Sequence, residues 1–257
     1  MKNRLDVEMT QRNLTESRQR AQELIRSGKV AVNSIVCKKP AQLVDETDDV
    51  DIVGEQLKFV GRGGLKLEHA LDVFKIDVKD KNCLDIGAST GGFTDCLLQN
   101  GAAKVCAVDV GHGQLHPSLL KKEEVLSLEG VNVRDLTIED MGFVPNFVCC
   151  DVSFISLTVV IEKLSSLLTE PFECVLLIKP QFEAGRQNIG KNGIVKDKKV
   201  YIQVITRILS FCVEKGILPI GVCKSSITGG DGNVEYLLYA KNQNEVALPI
   251  DIKAVVG

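Results

Sequence analysis

Four polar side chains along this sequence each stand at the end of a short apolar run. They are Asp85 in Cys83-Leu84-Asp85-Ile86, Asp109 after residues 105–108, Asp151 after 147–150 and Lys179 after 174–178. A fifth, Glu235, opens the apolar run 235–240. Carboxylates and an amine are the groups that orient hydroxyls and move protons. Any one of them, taken alone, is as well explained by a loop residue facing water. Four in succession point to a site, because in a sheet of parallel strands the carboxyl ends share one rim, where ligands bind. Directly after Asp85 comes Gly87-Ala88-Ser89-Thr90-Gly91-Gly92-Phe93. Such a turn at a helix start lets backbone N–H groups approach a ligand closely, and a Cβ there would block the turn or the approach. The spacing is not G-x-G-x-x-G and no Lys-Ser/Thr follows, so neither the strict dinucleotide fingerprint nor a P-loop is matched. Asp109 stands about 20 residues beyond the turn, where an acid suits hydrogen bonding to ribose hydroxyls.

These residues need elements that hold them. A run closed by an acid, a glycine turn, and then Phe93-Thr94-Asp95-Cys96-Leu97-Leu98 form strand, turn and helix, the opening unit of a Rossmann-like α/β sheet. D-x-G-x-x-x-G-G after a strand also looks like the cofactor loop of methyltransferases that use S-adenosylmethionine. Further strands are expected at 104–108, 147–150, 174–178, 218–223 and 235–240. The glycine loop Val110-Gly111-His112-Gly113-Gln114-Leu115 lets the chain pass close to a ligand. In the loop Val131-Asn132-Val133-Arg134-Asp135-Leu136, Asp135 is expected to face an adenine ring with Leu136 packed against it. Upstream, Leu67, Ala70, Leu71 and Phe74 form the apolar stripe of a helix. Lys66 lies off that stripe in the first turn, beside Gly61-Arg62-Gly63-Gly64. A lysine there is slightly disfavoured by the helix dipole, so something is expected to compensate for it.

Ahead of this region lies a separate basic head. Up to Lys39 there are nine Lys/Arg against four acids, although the whole chain carries a net charge of −3. The pattern predicts two helices, the second with Ala21, Leu24 and Ile25 on one face, Arg18 and Arg20 on the other, and Gly28 as terminator. Short strands at 29–32 and 35–37, joined at Asn33-Ser34, and another at 50–53 complete it. This unit resembles the S4 RNA-binding domain through Arg4-Leu5-Asp6, Ser17-Arg18-x-x-Ala21-x-x-Leu24-Ile25-x-x-Gly28-x-Val30-x-Val32-Asn33 and Lys39-Pro40. The expected division is an S4-like domain at 1–53, a linker at 54–60 and a methyltransferase domain at 61–257. Hydrophobic content of 44% is that of an ordinary globular protein, and the nine cysteines contain no C-x-x-C pair. Reduced buried thiols are expected, with no metal site and no disulfide framework. The first residues show no signal-peptide core and no apolar run reaches membrane-span length, so a cytoplasmic protein without stable membrane association is expected.

The whole chain resembles the TlyA family, whose catalytic domain is similar to FtsJ-type ribose 2′-O-methyltransferases. The matching motifs are 62–67, 84–95, Asp109-Val110-Gly111-x-Gly113-Gln114-Leu115, 151–156, 178–183 and Gly232-Asn233-x-Glu235-Tyr236. The resemblance implies a catalytic set of Lys66, Asp151, Lys179 and Glu235. It also implies S-adenosylmethionine held by Asp85, Gly87, Ala88, Ser89, Thr90, Gly91, Gly92, Phe93, Asp109, Val110, Asp135, Leu136 and Asp151. The implied substrate is a cytidine of ribosomal RNA within a ribosomal subunit, bound through Arg4, Arg18, Arg20, Lys29, Lys39, Arg62, Arg186 and Lys191 by a monomer. Two departures are Gly61, where serine is usual, and Asn192, where glycine is usual; they bear on loop rigidity rather than on the chemical groups.

On this reading Lys179 takes the proton of the attacking 2′-hydroxyl and so needs a neutral amine for part of the cycle. Asp151 orients Lys179 and faces the methyl end of the donor, while Glu235 orients Lys66 or the ribose. Three competing readings are an NAD-dependent oxidoreductase, a membrane-lytic haemolysin and a non-catalytic RNA-binding factor. Each lacks something: the glycine spacing for the first, a long apolar segment for the second, and any reason to carry the Lys–Asp–Lys–Glu set for the third.

Overall fold

The computed structural model describes residues 2–33, 35–53, 58–190, 193–230, 232–242 and 249–257. The chain forms two compact units, Met1–Gln56 and Leu57–Gly257. Most of the expected linker, residues 54–57, lies outside the described residues, as do Ser34, Lys191, Asn192 and Asp231.

In the small unit, β1 (Asn3–Arg4) leads into α1 (Leu5–Gln11) and α2 (Arg18–Arg26). Ser17 caps α2 by accepting the Arg20 N–H, and Gly28, at φ +72°, ends it. Strands β2 (Val30–Val32), β3 (Ile35–Cys37), β4 (Leu43–Val44) and β5 (Val50–Ile52) follow. The order β3-β2-β5 forms one antiparallel sheet, and β1 pairs with β4. Asn33, at φ +50°, turns the β2–β3 hairpin. Leu5, Met9, Ala21, Ile25, Val30 and Val44 fill the core. The sequence pattern places the first helix at residues 4–12; it begins one residue later, because Arg4 pairs with Leu43 in β1–β4.

The large unit contains α3 (Gly63–Phe74), β6 (Asn82–Ile86), α4 (Gly92–Gln99), β7 (Lys104–Asp109), α5 (Pro117–Leu120), β8 (Val125–Glu129) and α6 (Ile138–Met141). After these come β9 (Phe147–Cys150), α7 (Leu157–Leu167), β10 (Glu173–Ile178), α8 (Pro180–Glu183), α9 (Lys198–Glu214), β11 (Leu218–Lys224), β12 (Tyr236–Lys241) and α10 (Ile252–Val256). One sheet runs β11-β12-β10-β9-β6-β7-β8. From β6 the chain builds outward in both directions, through β7 to β8 and through β9 to β10, with all these pairs parallel. The rim beside β6 and β9 is therefore the topological switch point where such sheets bind ligands. Strand β12 runs antiparallel to β10 with Tyr236 opposite Ile178. That reversal brings Glu235, one residue before β12, to the same rim as Asp151 and Lys179.

Both faces of the sheet are covered. Leu67, Leu71, Phe93 and Leu97 from α3 and α4 pack on one face with Phe147 and Val175. Val160, Ile161, Ile205 and Ile208 from α7 and α9 pack on the other with Val148 and Leu176. Burial on both faces is why the inner strands read as continuous apolar runs rather than alternating ones. The edge strand β8, only partly buried, carries no such run. The cysteines are free thiols, all but Cys223 buried. Among the described residues, no helix is long and apolar enough to cross a membrane, and no group of His, Cys, Asp and Glu is placed to hold a metal ion.

Candidate active site

The glycine turn is built against the end of β9. Gly87 has φ +82°, and a Cβ there would lie 2.7 Å from the Asp151 carbonyl oxygen. A Cβ on Gly92 would lie 2.9 Å from the Gly64 nitrogen, so the starts of α3 and α4 approach at backbone distance. Asp85 does not reach the surface of this turn. It is wholly buried, accepts a 2.7 Å hydrogen bond from the Thr94 hydroxyl, and leaves Oδ1 without a partner. Burial first, then the nearby Asp151 charge, pushes its carboxyl up to about 7. It braces the turn from below, because its side chain projects into the sheet interior rather than to the rim. Gly91 likewise lies behind the wall, against Leu115 and Leu119.

Two cavities open above the turn. The smaller, of about 200 Å³, is lined by Gly63, Ala88, Thr90, Gly92, Phe93 and Lys179. The larger, of about 500 Å³, has an apolar wall of Val108, Val110, Val131, Val133, Val152 and Ile155, with Asp109, Gln114, Asn132, Arg134 and Phe154. Gly87, Ser89, Asp151 and Ser153 line both, so the two are continuous. Asp109 accepts the Ser89 and Gly111 N–H groups, each at 2.8 Å, one per carboxylate oxygen. The following glycine loop is fastened by Glu129, which accepts the Gly113, Gln114 and Leu115 N–H groups. Those amides hold its carboxyl below the usual carboxylate range. The loop after β8 departs from the sequence expectation. The Asp135 N–H turns back to the Asn132 carbonyl, so Asn132, Val133 and Arg134 take the wall. Asp135 faces solvent outside it, and Leu136 is wholly buried in the core.

Lys66, Asp151, Lys179 and Glu235 meet beside the smaller cavity, carried by α3, the end of β9, the end of β10 and the start of β12. Lys179 Nζ lies 2.6 Å from Asp151 Oδ1 and donates a 2.9 Å hydrogen bond to Ser153 Oγ. Lys66 Nζ lies 3.5 Å from Asp151 Oδ2 and 2.7 Å from Glu235 Oε2. Neither the Glu235 Oε2 nor the Asp151 Oδ1 contact is aligned as a hydrogen bond, so both are ion pairs by proximity. The Lys66 and Glu235 side chains are only 9% and 2% exposed. Glu235 is thus the compensation that a lysine in the first turn of α3 requires. The four charges form one chain, Glu235–Lys66–Asp151–Lys179, balanced in sign and ending at Ser153.

Ser153, Gln114, Asn132, Arg134 and Phe154 were not singled out as site residues from the sequence. The signal that could have found them is their position directly after strand ends or in the glycine loop. Phe154 is 91% exposed with φ +64°, and its ring lies 5.1 Å from that of Phe182.

The expected RNA-contacting residues are spread over both units, and some have protein partners. Arg4 and Arg18 both bond the buried Asp6, at 2.9 and 3.0 Å, yet their side chains stay 42% and 53% exposed. Their contacts, Arg4 foremost, hold the Asp6 carboxyl well below the usual range. Arg20 pairs with Glu23 at 3.2 Å, and Lys29 is half-buried while Lys39 is exposed. Arg62 is exposed and reaches the Thr228 carbonyl at 3.3 Å. Arg186 is exposed at the head of a 3₁₀ turn, Arg186–Asn188.

Comparison with known proteins matches residues 59–242 to the FtsJ-like methyltransferase family and residues 3–50 to the S4 domain. The 16S/23S rRNA (cytidine-2′-O)-methyltransferase TlyA of Mycobacterium tuberculosis is 42% identical, over 95% of this chain and 92% of its own. Hemolysin A of Brachyspira hyodysenteriae is 41% identical, over 92% of this chain and 98% of its own. A solved structure from Streptococcus thermophilus, provisionally named a hemolysin, superposes with a TM-score of 0.79 at 41% identity, covering 99% of this chain and 94% of that one.

Proposed function

The chain belongs to the FtsJ-like methyltransferase family, in its S4-bearing TlyA branch, and from that premise we propose that it methylates a cytidine ribose 2′-oxygen of ribosomal RNA with S-adenosylmethionine. The observation that carries the reading is the charge chain Glu235–Lys66–Asp151–Lys179 set beside a glycine-walled cavity at the switch point of the sheet.

The residues present fit the cofactor. The apolar valine wall of the larger cavity suits a flat adenine, and Asp109 suits the ribose hydroxyls. Ala88, Ser89, Thr90, Gly92 and Phe93, which line the smaller cavity, would hold the amino-acid end, with Asp151 at the junction of the two cavities. When bound, S-adenosylmethionine supplies a methyl group already activated by a sulfonium. The remaining work is in-line placement of the 2′-oxygen, a proximity effect, and removal of its proton. The Lys179 ammonium held by Asp151 first releases a proton to solvent, and the neutral amine then accepts the 2′-hydroxyl proton as the oxygen attacks. Asp151 and Ser153 aim the amine into the cavity. Lys66 keeps Asp151 in place from its other oxygen, and Glu235 neutralises Lys66 in a buried setting.

The small unit, matched to the S4 domain, is read as the part that grips structured RNA through phosphates and shape. Arg4, Arg18, Arg20, Lys29 and Lys39 contribute there, with Arg62 and Arg186 near the catalytic rim. Lys191 belongs to the same proposal but lies outside the described residues. The reading further places a monomer in the cytoplasm, acting on a ribosomal subunit without a metal and without stable membrane association. The proposed functional division follows the expected boundaries, 1–53 for RNA binding and 61–257 for catalysis. The test is transfer of labelled methyl from S-adenosylmethionine to purified ribosomal subunits, with nuclease mapping of the label. Label on a cytidine ribose is expected; label on a base, or none, overturns the proposal.

A further inference from the structure

The two strand-end turns that carry Asp151, Ser153 and Lys179 are not joined to each other by the sheet ladder. The β9–β10 ladder ends at Cys150 opposite Leu176. Beyond it the turn 151–156 runs to α7 and the turn 179–183 forms α8. One buried side chain spans them. Glu183 is 6% exposed, and its Oε1 accepts the Leu157 N–H at 2.6 Å while Oε2 accepts the Ser156 hydroxyl at 2.9 Å. Leu157 is the first residue of α7 and Ser156 its cap, so the carboxylate sits at a helix N-terminus where negative charge is favoured. Arg207 of α9 closes the arrangement, donating to Glu183 Oε2 and, at 3.0 Å, to the Glu183 carbonyl.

Resting on the methyl-transfer reading above, we infer that Glu183 is a positioning residue for that reaction. It pins the turn bearing the proton acceptor to the turn bearing the acid and the serine that aim it. Asp151 is five residues before Ser156 and Lys179 four before Glu183, so a slip at the staple is transmitted over little more than one turn of chain to the 2.6 Å Asp151–Lys179 contact. Glu183 touches neither cavity, so its role acts through geometry rather than through substrate contact. Glutamine keeps the shape but brings an N–H₂ where one of the two carboxylate acceptors stood, and so breaks the staple on one side.

The experiment compares wild type, Glu183→Gln and a stability control, Leu164→Ala. Leu164 is fully buried in α7, away from both turns and both cavities. Each is measured for Tm, cofactor Kd, RNA KM and kcat of methyl transfer to ribosomal subunits. Misplacement of reacting groups by about 1 Å costs on the order of 100-fold. The expected result is therefore a kcat about 10- to 100-fold lower for Glu183→Gln, with Kd and KM within about threefold of wild type. Leu164→Ala should lose Tm but keep kcat at temperatures where it is folded. Should Glu183→Gln fail to fold, Ser156→Ala, which removes one donor of the same staple, takes its place with the same kcat–KM split expected. Wild-type kcat in the staple variant, or equal kcat losses in both variants, overturns the inference while the functional reading stands. An inactive wild type overturns the functional reading and the inference with it.

Discussion

Asp85→Asn is the perturbation whose sign follows most directly from the geometry. The carboxyl is fully buried, one oxygen has no partner, and its pKa rises from 3.8 to about 7 through burial and the charge of Asp151. The folded state therefore holds a proton that the unfolded chain has released between about pH 4 and 7. Where the folded state binds more protons, stability falls as pH rises. The stability of the large unit should thus decline across this window, with the loss complete above pH 7. At about 1.4 kcal/mol per pH unit, a rise of about three units sets an order of about 4 kcal/mol, an upper bound that relaxation of the site reduces. Asparagine cannot ionise and keeps an acceptor for the Thr94 hydroxyl, so the variant should lack this dependence. The assay is urea unfolding followed by far-UV circular dichroism, since the chain has no tryptophan. The stability difference, variant minus wild type, should grow by a few kcal/mol from pH 4.5 to pH 8. A difference that stays constant with pH refutes the reasoning.

Lys66→Met strands the buried Glu235 and should destabilise the large unit by about 3–5 kcal/mol, whereas adding Glu235→Gln should recover part of that loss; denaturant titration of both variants checks it, and absence of recovery counts against a buried ion pair. Gly87→Ala places a Cβ 2.7 Å from the Asp151 carbonyl oxygen at φ +82°, a backbone strain of about 1–2 kcal/mol before any clash. Calorimetry should show cofactor affinity lowered about tenfold or more, and an unchanged Kd contradicts the proposed cradle. Lys196 and Lys199 are exposed around the start of α9. If they hold phosphates, neutralising both should lower the log–log salt slope of RNA binding by about one to two; an unchanged slope makes them solvated side chains with no RNA contact.

Much of the fold was legible because its signals are local. A glycine that must sit at φ +82°, an apolar run closed by Asp151 or Lys179, and the stripe Leu67, Ala70, Leu71 and Phe74 each act within a few residues. What stayed hidden depends on which way a side chain projects. Strands β6, β9 and β10 are buried on both faces, so nothing in their apolar runs distinguishes the interior position of Asp85 from the rim position of Asp151. Asp135 and Leu136 were misplaced because a single backbone hydrogen bond, from Asp135 to Asn132, decides which residues of that turn face the cavity. The engagement of Arg4 and Arg18 by Asp6, and of two turns by Glu183, joins residues through tertiary contacts that charge counting does not register. Glu235 was recognisable through its motif, but only the antiparallel course of β12 explains how a residue at the start of a strand joins others at strand ends.

Lys179 is the residue proposed to accept the proton of a ribose 2′-hydroxyl in ribosomal RNA. The most direct measurement is a map of ribose methylation across ribosomal RNA from cells with the gene, without it, and with Lys179→Ala expressed at equal level as a folded, cofactor-binding protein. A cytidine methylated only in the first of these is the expected result. Identical maps in all three, or full methylation by Lys179→Ala, would contradict it.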